Sequence, residues 1–381
     1  ARANILREFL THSNKENRFD HKEIYEVLDL CLACKGCKSE CPSNVDMAKL
    51  KMEFLQHYYD ANGVPMRANM IGNYSKLNGL ASIAPSVYNG LVKNPLTGSL
   101  IRKFSGFAPK RSLPTLHSTT LRNWFTRSWP REKKGKTGNR KVYLFCDEFT
   151  NFNDTTIGIK AVKLLHKLGY EVEMVEHPES ARAYMSKGLL RKAREIAEDN
   201  VRIFQTIINE QTPLLGVEPS AILSFRDEYP DLVREGLRNG AKTLAKHVYL
   251  VDEFLAMEAE KGNITAAQFT TKAQHIKLHG HCQQKALSSA LHSKKILSIP
   301  SNYSVEVIPS GCCGMAGSFG YEKEHYDLSM QIGEMVLFPA VRNAAPGTII
   351  AAPGTSCRHQ VKDGTGVIAK HPIEILYESL A

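Results

Sequence analysis

The sequence predicts an α+β multidomain chain: an all-helical N-terminal domain, then two related parallel α/β modules whose strands end in cysteines. Three observations predict it. Four cysteines, Cys31, Cys34, Cys37 and Cys41, lie between two stretches of helical periodicity. A strand–helix order runs twice between Lys141 and Cys357. The stretch Ser310–Glu322 (SGCCGMAGSFGYE) sets adjacent Cys312 and Cys313 among Gly311, Gly314, Gly317 and Gly320. Glycine costs a helix about 1 kcal/mol against alanine, so this spacing suits a loop lying close against a bound group.

The first domain, residues 1–97, reads as helical. The chain starts inside an apparent helix, Ala1 to Leu10, and its first residue is not Met, so it is expected to be part of a longer protein. Asp20 caps a run carrying Ile24, Val27 and Leu28, and a second run from Val45 to Tyr59 carries Met47, Leu50, Phe54 and His57 on one side. Between them stands C-x2-C-x2-C-x3-C-P, the run that binds a [4Fe–4S] cluster in bacterial ferredoxins. Short spacers let one turn of backbone present three sulfurs to one cube, whereas zinc sites usually pair distant C-x2-C knuckles. Pro42 ends the helical course. In two-cluster ferredoxins the cysteine before proline serves the other cluster. Cys41 therefore either closes its own cube or belongs with ligands upstream of Ala1.

Residues 98–140 read as a basic linker. Between Ile101 and Lys141 there are twelve Lys and Arg against the single Glu132, so the rest of the +10 chain is near neutral. Trp124, Phe125 and Trp129 are interleaved with the charges. Prolines and the Lys133–Gly138 run favour a linker or a contact with a partner domain or acidic membrane surface. No nucleic-acid motif accompanies the charge, and nucleic acid is not expected as a partner.

The first module, residues 141–262, opens with the strand Lys141–Phe145 and Cys146. A helix from about Thr155 to Leu168, a strand at Glu171–Val175, Glu179-Ser180, a helix from about Gly188 to Asn209, a strand at Leu214–Val217 and Glu218–Ala221 follow. The second, residues 263–381, repeats the order: strand His275–Leu278, Cys282, helix, strand Val305–Ile308, Cys312-Cys313-Gly314, helix from about Glu322 to Val341, strand Thr348–Ala352, Cys357. Cys146 to Glu179 spans 33 residues against 30 from Cys282 to Cys312, and Ser180 to Ala221 spans 41 against 44 from Cys313 to Cys357. Strands alternating with helices predict parallel sheets, which gather their strand-end residues at one edge. Cys282, Cys312, Cys313 and Cys357 are thus candidate ligands of a second centre. The first module, with Glu179, Ser180 and Ala221 at three of those places, reads as metal-free, and Cys146 as a buried apolar residue. His279 and His281 flank the second centre as candidate hydrogen-bond donors to a sulfur or contacts for a substrate anion, with satisfied structural histidines the alternative. Arg358 and His359, just after it, are similar candidates with the same alternative.

The chain is 43% hydrophobic and 23% charged, ordinary for a globular protein. No apolar run approaches a membrane span, and there is no secretory signal. Nine clustered cysteines favour metal ligands in a reducing compartment over a disulfide framework.

With these motifs the chain resembles the iron–sulfur components of flavin-linked 2-hydroxy-acid and glycerol-3-phosphate dehydrogenases. Among these are the glycolate oxidase iron–sulfur subunit, lactate-utilisation proteins and, more distantly, the catalytic subunit of heterodisulfide reductase. Leu30–Asp46 and Ser310–Glu322 resemble most closely the C-terminal part of fused FAD-binding and iron–sulfur oxidoreductases of the D-lactate and D-2-hydroxyglutarate dehydrogenase type. The resemblance implies a ferredoxin-like N-terminal domain, [4Fe–4S] clusters, and FAD on a domain or subunit outside this chain. It implies electron transfer from that flavin to a quinone or carrier, in the cytoplasm or at the inner face of the membrane. The second centre is expected to be an iron–sulfur cluster, with a non-cubane form open because two ligands are adjacent. A thiol–disulfide enzyme and a zinc-structured binding module are the rival readings. The first module lacks the family's Cys-Cys-Gly pattern.

Overall fold

The computed structural model describes residues 2–133, 138 and 140–381, so Ala1, Asn139 and residues 134–137 of the Lys133–Gly138 run lie outside the described residues. Two parallel sheets order the C-terminal part. The first contains β1 (Arg140–Phe145), β2 (Tyr170–Glu173), β3 (Leu214–Gly216) and β4 (Val248–Leu250), in the order β2-β1-β3-β4. The second contains β5 (Gln274–Leu278), β6 (Tyr303–Val307) and β7 (Ile349–Ala351), in the order β6-β5-β7. In each, the strand that comes first in the chain lies centrally, with the next two on either side. Register pairs Val142 with Val172, Leu144 with Leu215, and Leu278 with both Val307 and Ala351. Lys370 adds a parallel bridge to Ala351, where β4 stands beside β3 in the first sheet.

Parallel pairing demands crossovers, and these are helical. The helix Thr155–Lys167 buries Ile157, Ala161, Val162, Leu164 and Leu165 on one face. It ends at Gly169, whose φ of 90° lets the chain turn sharply into β2. Val142, Leu144, Ile276, Leu278 and Ala351 belong to one apolar cluster with residues of this helix and of the helices Val251–Glu260 and Pro372–Glu378. The core therefore runs without a break between the two sheets.

The elements differ from the sequence reading at three places. β4 is too short, at three residues, to stand out as a periodic run. The long helix expected to reach Asn209 spans Leu190–Phe204. The helix expected from Glu322 to Val341 is interrupted at Val336 (φ −145°), giving Tyr326–Met335 and Leu337–Arg342. Pro339 lacks the N–H that would continue the ladder there.

The basic segment is packed over its described residues. Leu121, Trp124 and Trp129 are buried in the core of the first sheet, and Trp124 Nε1 donates to Glu132 Oε1 at 3.0 Å. Burying aromatic rings outweighs solvating the charges between them. N-terminal to this segment the chain is helical, with Lys22–Asp29, Gly36–Glu40 and Met47–Asn62 framing the cysteine run.

Candidate metal centre

The N-terminal cysteines sit on an irregular loop between helices. Ala33 (φ 49°), Lys35 (φ 61°) and Asn44 (φ 52°) are left-handed, which reverses the peptide direction and turns N–H groups inward. Met47 N donates to Cys37 Sγ at 3.3 Å. Burial pushes the Cys34 thiol up, and the nearby Cys312, Cys31 and Cys37 add to the shift. Cys41 is different. Backbone N–H groups of Val45, Ser43 and Asn44 lower its pKa, so its thiol is served by its own loop.

The second set of thiols stands at the C-terminal ends of β5, β6 and β7. Cys282 opens the helix Cys282–Leu287, Cys312 and Cys313 lie in the loop after β6, and Cys357 lies in the helix Thr355–Thr365. The four thiols interact in sequence order. Hydrogen bonding from Cys282 holds Cys312 well below the ordinary thiol range, and from Cys313 does the same for Cys357. The donors Cys282 and Cys313 are correspondingly raised. Gly314 N also donates to Cys312 Sγ at 3.3 Å. The two sets adjoin, since the Cys34 thiol senses Cys312, Cys282 senses Cys34, and the helices Gly36–Glu40 and Cys282–Leu287 pack together.

Of the four flanking candidates, only His279 stands in the thiol group. It is 0% exposed, its Nδ1 lies 2.6 Å from Ser310 Oγ, and its Nε2 has no nitrogen or oxygen partner and faces the Cys357 thiol. One ligand atom each of His279, Cys313 and Cys357 fall within 4.8 Å of one another. His281 Nδ1 accepts from Gln283 N at the start of its own helix. Arg358 is bound to Ala352 O, Pro353 O and Asp154, and His359 Nδ1 meets Tyr321 Oη at 2.9 Å.

Several residues that hold the site carry no local sequence signal. Lys35, 1% exposed, is paired with Asp46 (3.1 Å), Glu228 (3.0 Å) and Asp227, fixing the N-terminal loop on the first sheet's layer. Arg111, also 1% exposed, donates to Gly320 O at 2.6 Å and Ser329 Oγ at 2.8 Å, and lies 3.4 Å from Asp363. Ala108 N donates to Tyr321 O at 2.7 Å, and His325 Nε2 lies 2.8 Å from Asp29. The glycine-rich loop is thus clamped by the basic segment and the N-terminal helices.

These residues fit a thiolate-bound metal group. All nine cysteines are free. An orphaned nitrogen buried beside thiols is costly unless it meets a ligand, and peptide N–H groups are turned toward sulfur in both loops.

No family model matches the chain, and no solved structure matches it. Curated proteins do. The chain is similar to the D-2-hydroxyglutarate dehydrogenase of Escherichia coli (strain K12), at 29% identity over 380 residues, 96% of this chain and 36% of that protein. It is 27% identical to the D-2-hydroxyglutarate dehydrogenase of Pantoea ananatis (strain AJ13355) over 96% of this chain and 35% of the relative. A protein named as one subunit of the anaerobic glycerol-3-phosphate dehydrogenase of Escherichia coli (strain K12) is 25% identical over 89% of this chain and 83% of its own length. The chain therefore spans about a third of the length of the D-2-hydroxyglutarate dehydrogenases it matches, and most of a protein named as a subunit. Along nearly all its length it aligns with oxidoreductases.

Proposed function

We propose that this chain is the iron–sulfur electron-transfer part of a flavin-linked dehydrogenase acting on a D-2-hydroxy acid, of the lactate, glycolate or 2-hydroxyglutarate class. The observation that carries the reading is that Cys34 is grouped with Cys31 and Cys37 near Cys312, where the helices Gly36–Glu40 and Cys282–Leu287 pack together. Such a centre adjoins the second set of thiols rather than standing on an isolated knuckle. The likeness to D-2-hydroxyglutarate dehydrogenases supports the substrate class.

Cys31, Cys34 and Cys37, with Cys41 or a residue outside this chain as the fourth ligand, hold the N-terminal cluster. A bound [4Fe–4S] cluster supplies one-electron acceptance from a two-electron flavin donor. The chain's own residues tune it. Met47 N–H offsets charge on the Cys37 sulfur, Lys35 anchors the loop, and partial burial of Cys34 lowers the polarity around its thiol. FAD belongs to a further domain or partner subunit, and the acceptor is a quinone or an electron carrier. Nucleic acid plays no part.

The flavin-bearing part docks on the helices of residues 66–105. From residue 61 to 131 the chain has ten Lys and Arg and no Asp or Glu. On this run Met66, Leu80, Ile83, Val87, Leu96 and Phe104 are exposed, Ile83 by 82% and Phe104 by 76%. Large apolar side chains left open together mark an interaction face, and its charge asks for a partner with an acidic rim. The similar relatives are either much longer or named as a subunit, which is consistent with such a partner. Among the described residues no helix is long and apolar enough to cross a membrane.

The test is anaerobic reduction. Adding D-2-hydroxyglutarate, D-lactate or glycolate to the protein together with its flavin part should bleach the broad visible cluster absorption. Replacing Leu96 and Phe104 by Ser should slow that bleaching while leaving dithionite reduction intact. Cluster absorption that dithionite bleaches but none of these hydroxy acids does would overturn the substrate class, and colourless protein would overturn the cluster itself.

A further inference from the structure

We propose that the second thiol centre is a single-ion zinc site ligated by Cys313, Cys357 and His279 Nε2, its fourth ligand coming from the Cys282–Cys312 pair. This rests on reading those residues as a metal centre, but it changes the kind of metal expected from the sequence.

The first support is distance. Around one tetrahedral zinc, bonds of about 2.3 Å to sulfur and 2.0–2.1 Å to nitrogen set ligand atoms about 3.5–3.8 Å apart. The thiolates of an iron–sulfur cube each bind a different iron and stand on separate corners, so they are held farther apart. Here the donor atoms of His279, Cys313 and Cys357, from three different strand ends, already lie within 4.8 Å of one another. Cys312 stands near enough to both Cys313 and Cys282 for each to act on its thiol. The donors are gathered for one ion.

The second support is the histidine. Nδ1 is committed to Ser310 Oγ, and the Ser310 carbonyl is itself held by Lys285 Nζ at 2.7 Å. A ligating imidazole characteristically has its other nitrogen fixed in this way, which sets the tautomer and the ring plane. That leaves Nε2, fully buried in the thiol group, where it meets no nitrogen or oxygen partner and faces the Cys357 thiol. A metal bond satisfies it, and a nitrogen with two or three sulfurs is a zinc donor set.

Zinc has no redox chemistry, so this centre does not carry electrons. Its work is mechanical. One ion ties the loops after β5, β6 and β7 together and holds Cys312 beside Cys34 at the N-terminal cluster.

The test is metal analysis of the full protein purified anaerobically from cells supplied with both iron and zinc. The expected result is about one zinc per chain in addition to iron, with zinc-edge X-ray absorption showing three sulfurs and one nitrogen. His279→Ala should lose the zinc and keep the visible iron–sulfur band, whereas Cys34→Ala should do the reverse. Because a variant at a buried position can fail to fold, the wild-type metal count decides by itself. Protein that carries iron but no zinc overturns the proposal, and an all-sulfur zinc environment overturns the role of His279. Absence of iron with zinc present would instead refute the electron-transfer reading and leave this site standing.

Discussion

The C-terminal edges of the two sheets are built on one plan and filled with different chemistry. After β1 the chain runs Cys146-Asp147-Glu148, and after β5 it runs His279 to Cys282. After β2 comes Glu179-Ser180-Ala181, where Ala181 is left-handed at φ 58°, and after β6 comes Cys312-Cys313-Gly314, where Gly314 is left-handed at φ 95°. The backbone turn is kept while the side chains change. At the first edge Glu148 accepts from Ser180 N at 2.9 Å and Ser180 Oγ at 2.8 Å. Burial, with the neighbouring Glu148, pushes Asp147 and Glu179 up to about 8. At the second edge the same positions carry thiols that share protons with each other and enclose a histidine nitrogen. Both edges bury acidic groups, carboxyls at the first and thiols at the second. One answers with protons and hydroxyl donors, the other with sulfur arranged for a metal. Glu218 joins them, its Oε2 accepting from Thr355 N at 2.9 Å, two residues before Cys357.

The largest effect that could break this contrast is metal loss. Cys313→Ser should remove the metal of the second centre entirely, because Cys313 lies between Cys312 and Cys357 in the thiol group. Cys146→Ser should leave metal content unchanged, since burial drives the Cys146 thiol up to about 12 and its neighbours include Asn151 and no other thiol. Equal metal loss in both, measured per chain, would mean that the first edge also serves a metal.

A smaller effect sharpens the contrast through the supports. The loop after β2 is short, whereas the one after β6 runs through four glycines and needs an outside clamp. Arg111 supplies it. Arg111→Met should leave Asp363, Gly320 O and Ser329 short of a buried partner and lower stability by about 3 kcal/mol. Denaturant unfolding measures this. A loss under about 1 kcal/mol, within the range of exposed pairs, would show that the loop holds itself.

Much of this site was legible in the sequence because its signals are local. The spacing of Cys31, Cys34 and Cys37, the Cys312-Cys313 pair among glycines, and the alternation of apolar strands with amphipathic helices each fall within a short window. The clamps were not legible. Lys35 with Asp227, and Arg111 with Gly320, are about two hundred residues apart, and a single lysine or arginine in a basic run gives no sign that it will be buried. The packing of the basic segment was hidden for a related reason. Its charges dominate the composition, while Leu121, Trp124 and Trp129, fewer in number, decide where it packs. His279 was visible as one of four flanking candidates. Only the geometry separated it from His281, which caps its own helix.

The smallest expected effect concerns the first edge alone. Glu179 Oε2 is buried without a partner, and burial, with nearby Glu148, raises the carboxyl to about 8 from an ordinary value of 4.5. The folded protein therefore keeps a proton that the unfolded chain releases near pH 4.5. Between these values the native state binds more protons, so stability falls as pH rises from about 4.5 to 8 and levels off above. Glu179→Gln cannot ionise and should lose this part of the pH dependence. The variant and wild type should melt together near pH 4.5, and the variant should melt higher at pH 8.5, by about 1 °C for each kcal/mol of relief in a protein of this size. Parallel melting curves across that range would mean that Glu179 is ionised in the folded protein. The first edge would then hold a bare carboxylate rather than a proton, and the contrast with the thiol edge would narrow to the choice of anion.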